Sequence, residues 1–232
     1  MTQGLGKFVL VPTLMLQLLS VALRTDRLTE PEGPRSGVLG QGQWLRLLIL
    51  GDSSAAGVGV MTQNRALSGQ VISKLAPCAR VEWTLIARSG ATTFRARKLL
   101  QGTRAQFDVA ILALGVNDAL RHTRLTRFRD AQSGLMQDLR LRHGVRCLLV
   151  SGVPPLGAFP VFPEPLRTHL GLRAQQLDDL LQEVCRVHGA RHVPFAIEPQ
   201  ARWLAHDGLH PGAALYEVWG ARMAGLALEA LS

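Results

Sequence analysis

Five short apolar runs, separated by longer segments of helical periodicity, constrain the fold of this chain more than any other feature. The runs lie at Leu45–Leu50, Val81–Ile86, Val109–Leu114, Val145–Val150 and His192–Phe195. They are too short for helices, and their content of Val, Ile and Leu is typical of strands buried on both faces. The periodic segments predict helices at Leu67–Leu75, Thr93–Leu100, Phe128–Leu141, Leu166–Val187 and Ala213–Leu231. This alternation predicts one α/β domain with a parallel sheet and right-handed crossovers.

The first 43 residues differ from the rest of the chain, which we assign to one domain over residues 44–232. The stretch Phe8–Leu23 carries no charge over sixteen residues, fewer than the ~20 that span a bilayer comfortably. A Pro- and Gly-rich segment follows and ends near Gln43. This composition predicts a linker between the apolar stretch and the domain.

Three interpretations of Phe8–Leu23 stay open: a signal peptide cleaved after Ala22, a helix packed on the domain, and a helix lying on a membrane surface. The charged residues directly after Leu23 favour an uncleaved segment. An uncleaved segment indicates a cytoplasmic or membrane-associated protein with peripheral membrane contact through residues 8–23. Cleavage of residues 1–22 would instead indicate a periplasmic or secreted protein.

Charge and cysteine content narrow the class of protein. The formal charge of +9 suggests nucleic acid at first, but the arginines are scattered along the chain and only one Tyr accompanies them. We therefore expect no nucleic-acid partner. The cysteines are widely spaced and include no Cys-x-x-Cys pair, which excludes a zinc knuckle and allows at most one disulfide. They are Cys78, Cys147 and Cys185.

Unusual polar residues follow the predicted strands. In open parallel sheets the loops after the carboxyl ends of the strands hold the active site. Gly51-Asp52-Ser53 follows the first run, Gly90 the second, and Gly115-Val116-Asn117-Asp118 the third, while Asp207-Gly208-Leu209-His210 precedes the last helix. The placement predicts that all four motifs meet at one edge of the sheet.

Ser53 and His210 have the chemistry of a nucleophile and its base. A serine hydroxyl is a weak nucleophile without a base. Among the histidines, His210 alone has a carboxylate three residues earlier, and Asp207 in that turn can orient the imidazole and stabilise the imidazolium. Four others are predicted to be solvated surface residues: His122, His143, His169 and His188.

Each motif alone also has a structural interpretation. Asp52 or Ser53 can cap a helix, and an Asp-x-x-His sequence can be an ordinary polar turn. A metal site at His206 and His210 is opposed by Gly208 and Pro211, which interrupt a continuous helix.

Acyl transfer also needs donors for the developing oxyanion. The backbone N–H groups of Ser53 and Gly90 and the side-chain amide of Asn117 are the candidates. Gly90 as a plain turn glycine and Asn117 as a helix cap stay open. The joint occurrence of the four motifs, each at its expected strand end, favours the catalytic interpretation over the separate structural ones.

The four motifs in this order resemble the sequence blocks of the SGNH (GDSL-type) hydrolases, over roughly residues 44–232. The resemblance implies a flavodoxin-like three-layer α/β/α sandwich with five parallel strands and no metal or organic cofactor. It implies that Ser53 is the nucleophile, His210 the base and Asp207 its orienter, with an oxyanion hole at Ser53, Gly90 and Asn117. Ser54 stands where Leu is usual in the family, which leaves the substrate preference open.

We therefore expect a serine ester hydrolase that cleaves an acyl ester of a small molecule, lipid or glycan through an acyl-serine intermediate. The alternative is an inactive protein of the same fold that binds lipid or glycan. Two segments stay ambiguous. The arginines of residues 121–129 either border the crevice and favour anionic substrates or form a solvated helix start, and residues 156–165 either line an acyl pocket or form a rigid loop.

Overall fold

The computed structural model describes residues 3–195 and 201–229, so the last two residues of the predicted helix Ala213–Leu231 lie outside the described residues. The strands in this part of the chain are β1 (Ser36–Leu39), β2 (Trp44–Gly51), β3 (Arg80–Ala87), β4 (Val109–Ala113), β5 (Cys147–Ser151) and β6 (Arg191–Val193). The α-helices are α1 (Gln3–Arg24), α2 (Ser53–Ala56), α3 (Leu67–Leu75), α4 (Thr93–Leu100), α5 (Val116–Leu120), α6 (Leu125–Leu141), α7 (Leu166–Val187) and α8 (Ala213–Glu229). Short 3₁₀ helices lie at Gln63–Arg65, Leu156–Ala158 and Ala201–Trp203.

One mostly parallel sheet organises the molecule, with the strand order β1-β3-β2-β4-β5-β6. Strands β2 to β6 are parallel to one another, and β1 pairs antiparallel with β3. The parallel strands follow the flavodoxin-like order, in which the direction of strand addition reverses beside the first parallel strand. The reversal lies between β2 and β4, and it opens a crevice at the carboxyl ends of these two strands.

Alternating side chains of the strands build a core on each face of the sheet. Leu48 and Leu50 of β2 pack on the face covered by α4, α6 and α7. Leu47 and Ile49 pack on the opposite face, which α3 and α8 cover. All four side chains are completely buried, as expected for a parallel sheet with helices on both sides. The predicted three-layer α/β/α sandwich is confirmed.

The prediction of five strands is one strand short. All five predicted strands are present, but Ser36–Leu39 forms β1 in the segment interpreted as a linker. Ser36 lies opposite Thr84 and Leu39 opposite Val81. Val38 and Leu39 remain about half exposed, so β1 lacks the buried apolar pattern by which the other strands are recognised. Its pairing depends on the free edge of β3, which is a tertiary feature.

Two further segments differ from, or refine, the sequence interpretation. His143 was predicted to be a surface residue, but it is buried and its Nδ1 lies 2.8 Å from the carbonyl oxygen of Ala105. Its charged sequence neighbours predict exposure, but the loop before β5 places the His143 side chain in the interior. Residues 3–24 form the continuous helix α1, whose Leu14 joins the core. None of the helices described is both long and apolar enough to span a membrane.

Candidate active site

The turn after β2 presents Ser53 at the first position of α2. Asp52 caps this helix, because its Oδ1 accepts the backbone N–H of Ser54 at 3.0 Å. The Ser54 hydroxyl donates to the same oxygen at 2.8 Å. The cap interpretation of Asp52 therefore holds, and the capped turn leaves the Ser53 side chain facing the crevice as a lining residue.

Ser53, His210 and Asp207 form one continuous hydrogen-bonded chain. The Nε2 of His210 lies 3.0 Å from the Ser53 Oγ, and its Nδ1 lies 2.5 Å from the Asp207 Oδ2. The other carboxylate oxygen, Oδ1, accepts the backbone N–H groups of Leu209 and His210, each at 3.0 Å. The two N–H groups fix the Asp207 carboxylate, and the carboxylate in turn fixes the imidazole ring.

Asp207 is held as a carboxylate although its side chain is completely buried. Burial alone would raise its pKa, but the hydrogen bonds from the His210 ring and from two backbone N–H groups lower the pKa overall. A buried, ionised carboxylate beside an imidazole stabilises the imidazolium that forms when the ring accepts a proton. The arrangement is suited to general-base chemistry at Ser53.

The three predicted oxyanion donors line the same cavity as Ser53 and His210. They come from three loops: Ser53 after β2, Gly90 after β3 and Asn117 at the start of α5. Within the part of the chain that the structure describes, neither the backbone N–H of Ser53 nor that of Gly90 donates a hydrogen bond. Gly90 has a φ of +74°, which glycine adopts without steric cost. Both N–H groups are thus available to an oxygen bound in the cavity.

Asp52 connects the turn that carries Ser53 to Asn117. Its Oδ2 accepts the Asn117 Nδ2 at 3.2 Å, while its Oδ1 holds Ser54. Burial raises the pKa of Asp52, and the hydrogen bonds from Ser54 and Asn117 oppose that rise. One hydrogen of the Asn117 amide is therefore engaged by Asp52, which leaves the second free to point elsewhere. The sequence interpretation recognised Asp52 as a cap and missed this second role.

Glu30 supports the loop that carries Gly90. Its Oε1 accepts both the backbone N–H and the hydroxyl of Ser89, each at 2.8 Å, and its Oε2 lies 2.8 Å from Arg35. Partial burial raises the pKa of Glu30, but the bonds from Ser89 and Arg35 lower it overall. Glu30 lies in the segment interpreted as a linker, so this segment also supports the site. Nothing in its local sequence signals the contact.

Tyr216 of α8 is a second buried support that the sequence interpretation missed. Its hydroxyl lies 3.0 Å from the carbonyl oxygen of Ser54 and 2.8 Å from that of Val58. The side chain is completely buried, and burial raises its pKa well above the ordinary value. A neutral phenol is the form that donates a hydrogen bond to a carbonyl. Tyr216 is the single Tyr of the chain, and nothing in its local sequence signals this contact.

An apolar cavity of about 460 Å³ opens beside Ser53. From residues 156–165, Leu156, Phe159 and Phe162 line this cavity. Their position supports the interpretation of this segment as part of an acyl pocket. The arginines of residues 121–129 are not among its lining residues. Arg121 is nevertheless close to its rim, since a Cβ added at Gly90 would lie 3.7 Å from the Arg121 guanidinium.

The histidines of the last loop do not converge on one point. His206 Nε2 lies 3.4 Å from Asp26, whereas His210 faces Asp207 and Ser53. Within residues 3–195 and 201–229, no group of three or more His, Cys, Asp or Glu side chains has the arrangement of a metal site. The metal interpretation of His206 and His210 thus has no geometric support.

Comparisons with known proteins agree with this architecture. Among solved structures, a lipase/acylhydrolase from Enterococcus faecalis is 22% identical, with a TM-score of 0.61 over 78% of this chain and 94% of that one. The psychrotrophic esterase EstA from Pseudoalteromonas is 17% identical, with a TM-score of 0.62 over 80% and 98%. An acetyl-xylooligosaccharide esterase from Geobacillus is 17% identical, with a TM-score of 0.58 over 82% and 94%. No curated protein matches the sequence significantly.

At these identities the structural likeness shows the shared fold, and the family is shown by the sequence itself. The sequence profile of the GDSL-like lipase/acylhydrolase family matches residues 49–218, which include the Ser53 turn, the Gly90 and Asn117 loops, and His210. The chain therefore belongs to the GDSL-like lipase/acylhydrolase family and is an enzyme that hydrolyses ester bonds.

Proposed function

We propose that this enzyme cleaves acyl esters through an acyl-serine intermediate on Ser53. As the Ser53 Oγ attacks the acyl carbonyl carbon, the His210 Nε2 takes the hydroxyl proton and then donates it to the departing alcohol. In the second half of the reaction, His210 takes a proton from water as the water oxygen attacks the carbonyl carbon of the acyl-serine. The proton then returns to the Ser53 Oγ as the carboxylic acid leaves. Asp207 orients the ring and stabilises its charge in both halves.

The developing oxyanion is bound, in this proposal, by the N–H groups of Ser53 and Gly90 and by the Asn117 amide. Such donors act most strongly when they are positioned before the reaction and shielded from water. Asp52 and Glu30 provide the positioning through the hydrogen bonds described above. No metal or organic cofactor enters any step.

One observation carries the proposal. The His210 Nε2 lies 3.0 Å from the Ser53 Oγ, the other nitrogen of the ring contacts the buried Asp207 carboxylate, and Ser53 and His210 line the apolar cavity. An inactive protein that binds lipid or glycan would need the cavity but not this aligned hydrogen-bonded chain. The hydrolase is therefore better supported than the binding protein.

Labelling with a fluorophosphonate probe tests the mechanism. This choice of probe follows the similar esterase EstA, whose structure was determined with the enzyme inhibited by monoethylphosphonate. We expect label on Ser53 of the wild type and none on Ser53→Ala. The variant should also lose about 10⁴-fold or more of kcat at an unchanged melting temperature, because Ser53 lies at the cavity surface and not in a core. Label at another residue, or an active Ser53→Ala variant, would falsify the acyl-serine mechanism.

The substrate class proposed is an acyl ester of a small molecule, lipid or glycan.

We also propose peripheral membrane contact through residues 8–23, supported by the exposed side chains of Met15, Leu16, Leu19 and Leu23 on α1. Apolar side chains on an exposed helix bind at the lipid–water interface. Flotation with phosphatidylglycerol vesicles should recover the wild type and lose a Leu19→Asp variant, and equal recovery of both would count against the contact.

A further inference from the structure

We infer that helix α1 is part of the acyl-binding site and that its inner face determines the preference of the enzyme for long apolar acyl chains. The inference rests on the proposed function and extends it to the N-terminal segment. It concerns Leu18, Val21 and Ala22, which line the cavity beside Ser53. These residues lie outside the part of the chain that matches the family profile.

The two faces of α1 differ in their surroundings. Leu14 is 9% exposed, and Leu18 and Val21, at helical spacings of four and three residues, pack against the same core. Met15 and Leu19 are 68% and 56% exposed on the opposite side. Apolar residues thus occur on both sides of the helix, and the stripe of Leu14, Leu18 and Val21 packs against the domain.

Polar contacts near the middle and at the end of α1 dock this stripe in one register. The Gln17 side chain donates to the carbonyl oxygen of Glu164 at 2.7 Å and accepts the backbone N–H of Leu166 at 3.2 Å. Just after the helix, Asp26 lies 3.4 Å from His206. Because Gln17 uses both of its amide atoms on backbone groups, a rotation of the helix by one residue would break both hydrogen bonds.

Other lining residues of the cavity are also apolar, among them Leu156, Phe159 and Phe162. A cavity of about 460 Å³ lies within the range of ~300–1,000 Å³ that is usual for small-molecule sites. An acetyl group needs only the space beside the Ser53 Oγ. A longer chain must extend along apolar walls, and α1 supplies one of them.

Two bulky substitutions test the inference, one at the cavity wall and one at an exposed site elsewhere. Leu18→Trp fills the cavity from the inner face of α1, and Leu172→Trp places the same side chain on the exposed surface of α7 as a matched control. The measurement is kcat/KM for p-nitrophenyl octanoate and p-nitrophenyl acetate. We expect the octanoate-to-acetate ratio to fall about 10-fold or more in Leu18→Trp, in line with the discrimination of apolar pockets, and to stay at the wild-type value in Leu172→Trp.

A second inner-face variant guards against misfolding. Ala22 lines the cavity but is exposed, so Ala22→Phe narrows the space without disturbing the core, and it should lower the ratio in the same direction. An unchanged ratio in Ala22→Phe, or an equal change in Leu172→Trp, would overturn the role of α1 while leaving the hydrolase intact. A wild type that hydrolyses neither ester and takes no phosphonate label on Ser53 would overturn the proposed function and this inference together.

Discussion

The strand-end loops and the N-terminal 43 residues both reach the cavity, but they do so in different ways. The loops deliver Ser53, Gly90 and Asn117 from neighbouring parallel strands, whose carboxyl ends meet at one edge of the sheet. The N-terminal segment delivers Glu30 and one face of α1 by docking from outside the sheet. Sheet topology therefore places Ser53, Gly90 and Asn117, whereas the support of their loops and the cavity wall depend on side-chain contacts across the fold.

Asn117→Ala should show the largest effect among variants that leave Ser53 and His210 in place. Loss of one oxyanion donor lowers kcat by about 100- to 1,000-fold with little change in KM. A structural role alone would cost about 1 kcal/mol of stability and little rate. We would measure kcat and melting temperature on one preparation, and a variant that melts lower yet turns over normally would remove Asn117 from the site.

Asp52→Asn should have the next largest effect, because an amide offers one acceptor oxygen where the carboxylate offers two. The buried replacement can accept from Ser54 or from Asn117 but not from both. Its unsatisfied NH₂ group costs ~1–3 kcal/mol, or about 10- to 100-fold in kcat if the cost falls on the transition state. Phosphonate labelling of Ser53 should slow in parallel. Ser54→Ala is the control, since it removes one hydrogen bond to Asp52 and leaves the contact with Asn117. Equal losses in both variants would contradict the role of Asp52 as a positioning residue.

Loss of activity in acid should not come from Asp207. Burial alone would raise the pKa of this carboxyl, but the hydrogen bonds from His210 and from two backbone N–H groups lower it overall, so the carboxylate stays charged at a pH where a free aspartate begins to protonate. We would measure kcat/KM against pH for the wild type and for Asp207→Asn, and we expect any loss of wild-type activity above pH ~4 to persist in the variant. An acid loss above that pH that disappears in Asp207→Asn would assign the loss to Asp207 and contradict the prediction.

Glu30→Gln should have the smallest effect of the series, because it loosens the Gly90 loop without removing a donor. A hydrogen bond to a charged group is worth ~1.5–3 kcal/mol, but Glu30 is partly exposed and its amide replacement still accepts from Ser89. We expect kcat to fall only a few-fold. Glu32→Gln, two residues away and exposed, is the matched control and should behave as wild type. If both variants match wild type, the N-terminal segment does not tune the loop.

Parts of the fold and site were predictable because their signals are local. The spacing of apolar residues predicted α3, α4 and α7 with the bounds that the structure has, and it predicted five strands to within a few residues. His210 could be singled out because its carboxylate partner is three residues away. His143 could not be recognised as buried, because its neighbours in sequence are charged and the residues that cover it come from other parts of the chain.

By itself, the sequence determined the α/β class, the strand ends and the residue types at each of them, since periodicity and short turns act over a few neighbouring residues. Only the tertiary structure decided which distant groups meet. Asp52 and Asn117 are 65 residues apart, Glu30 and Ser89 are 59 apart, and Ser54 and Tyr216 are 162 apart. The same holds for β1 and for the inner face of α1. Such contacts depend on strand order and helix docking, which local preference does not encode.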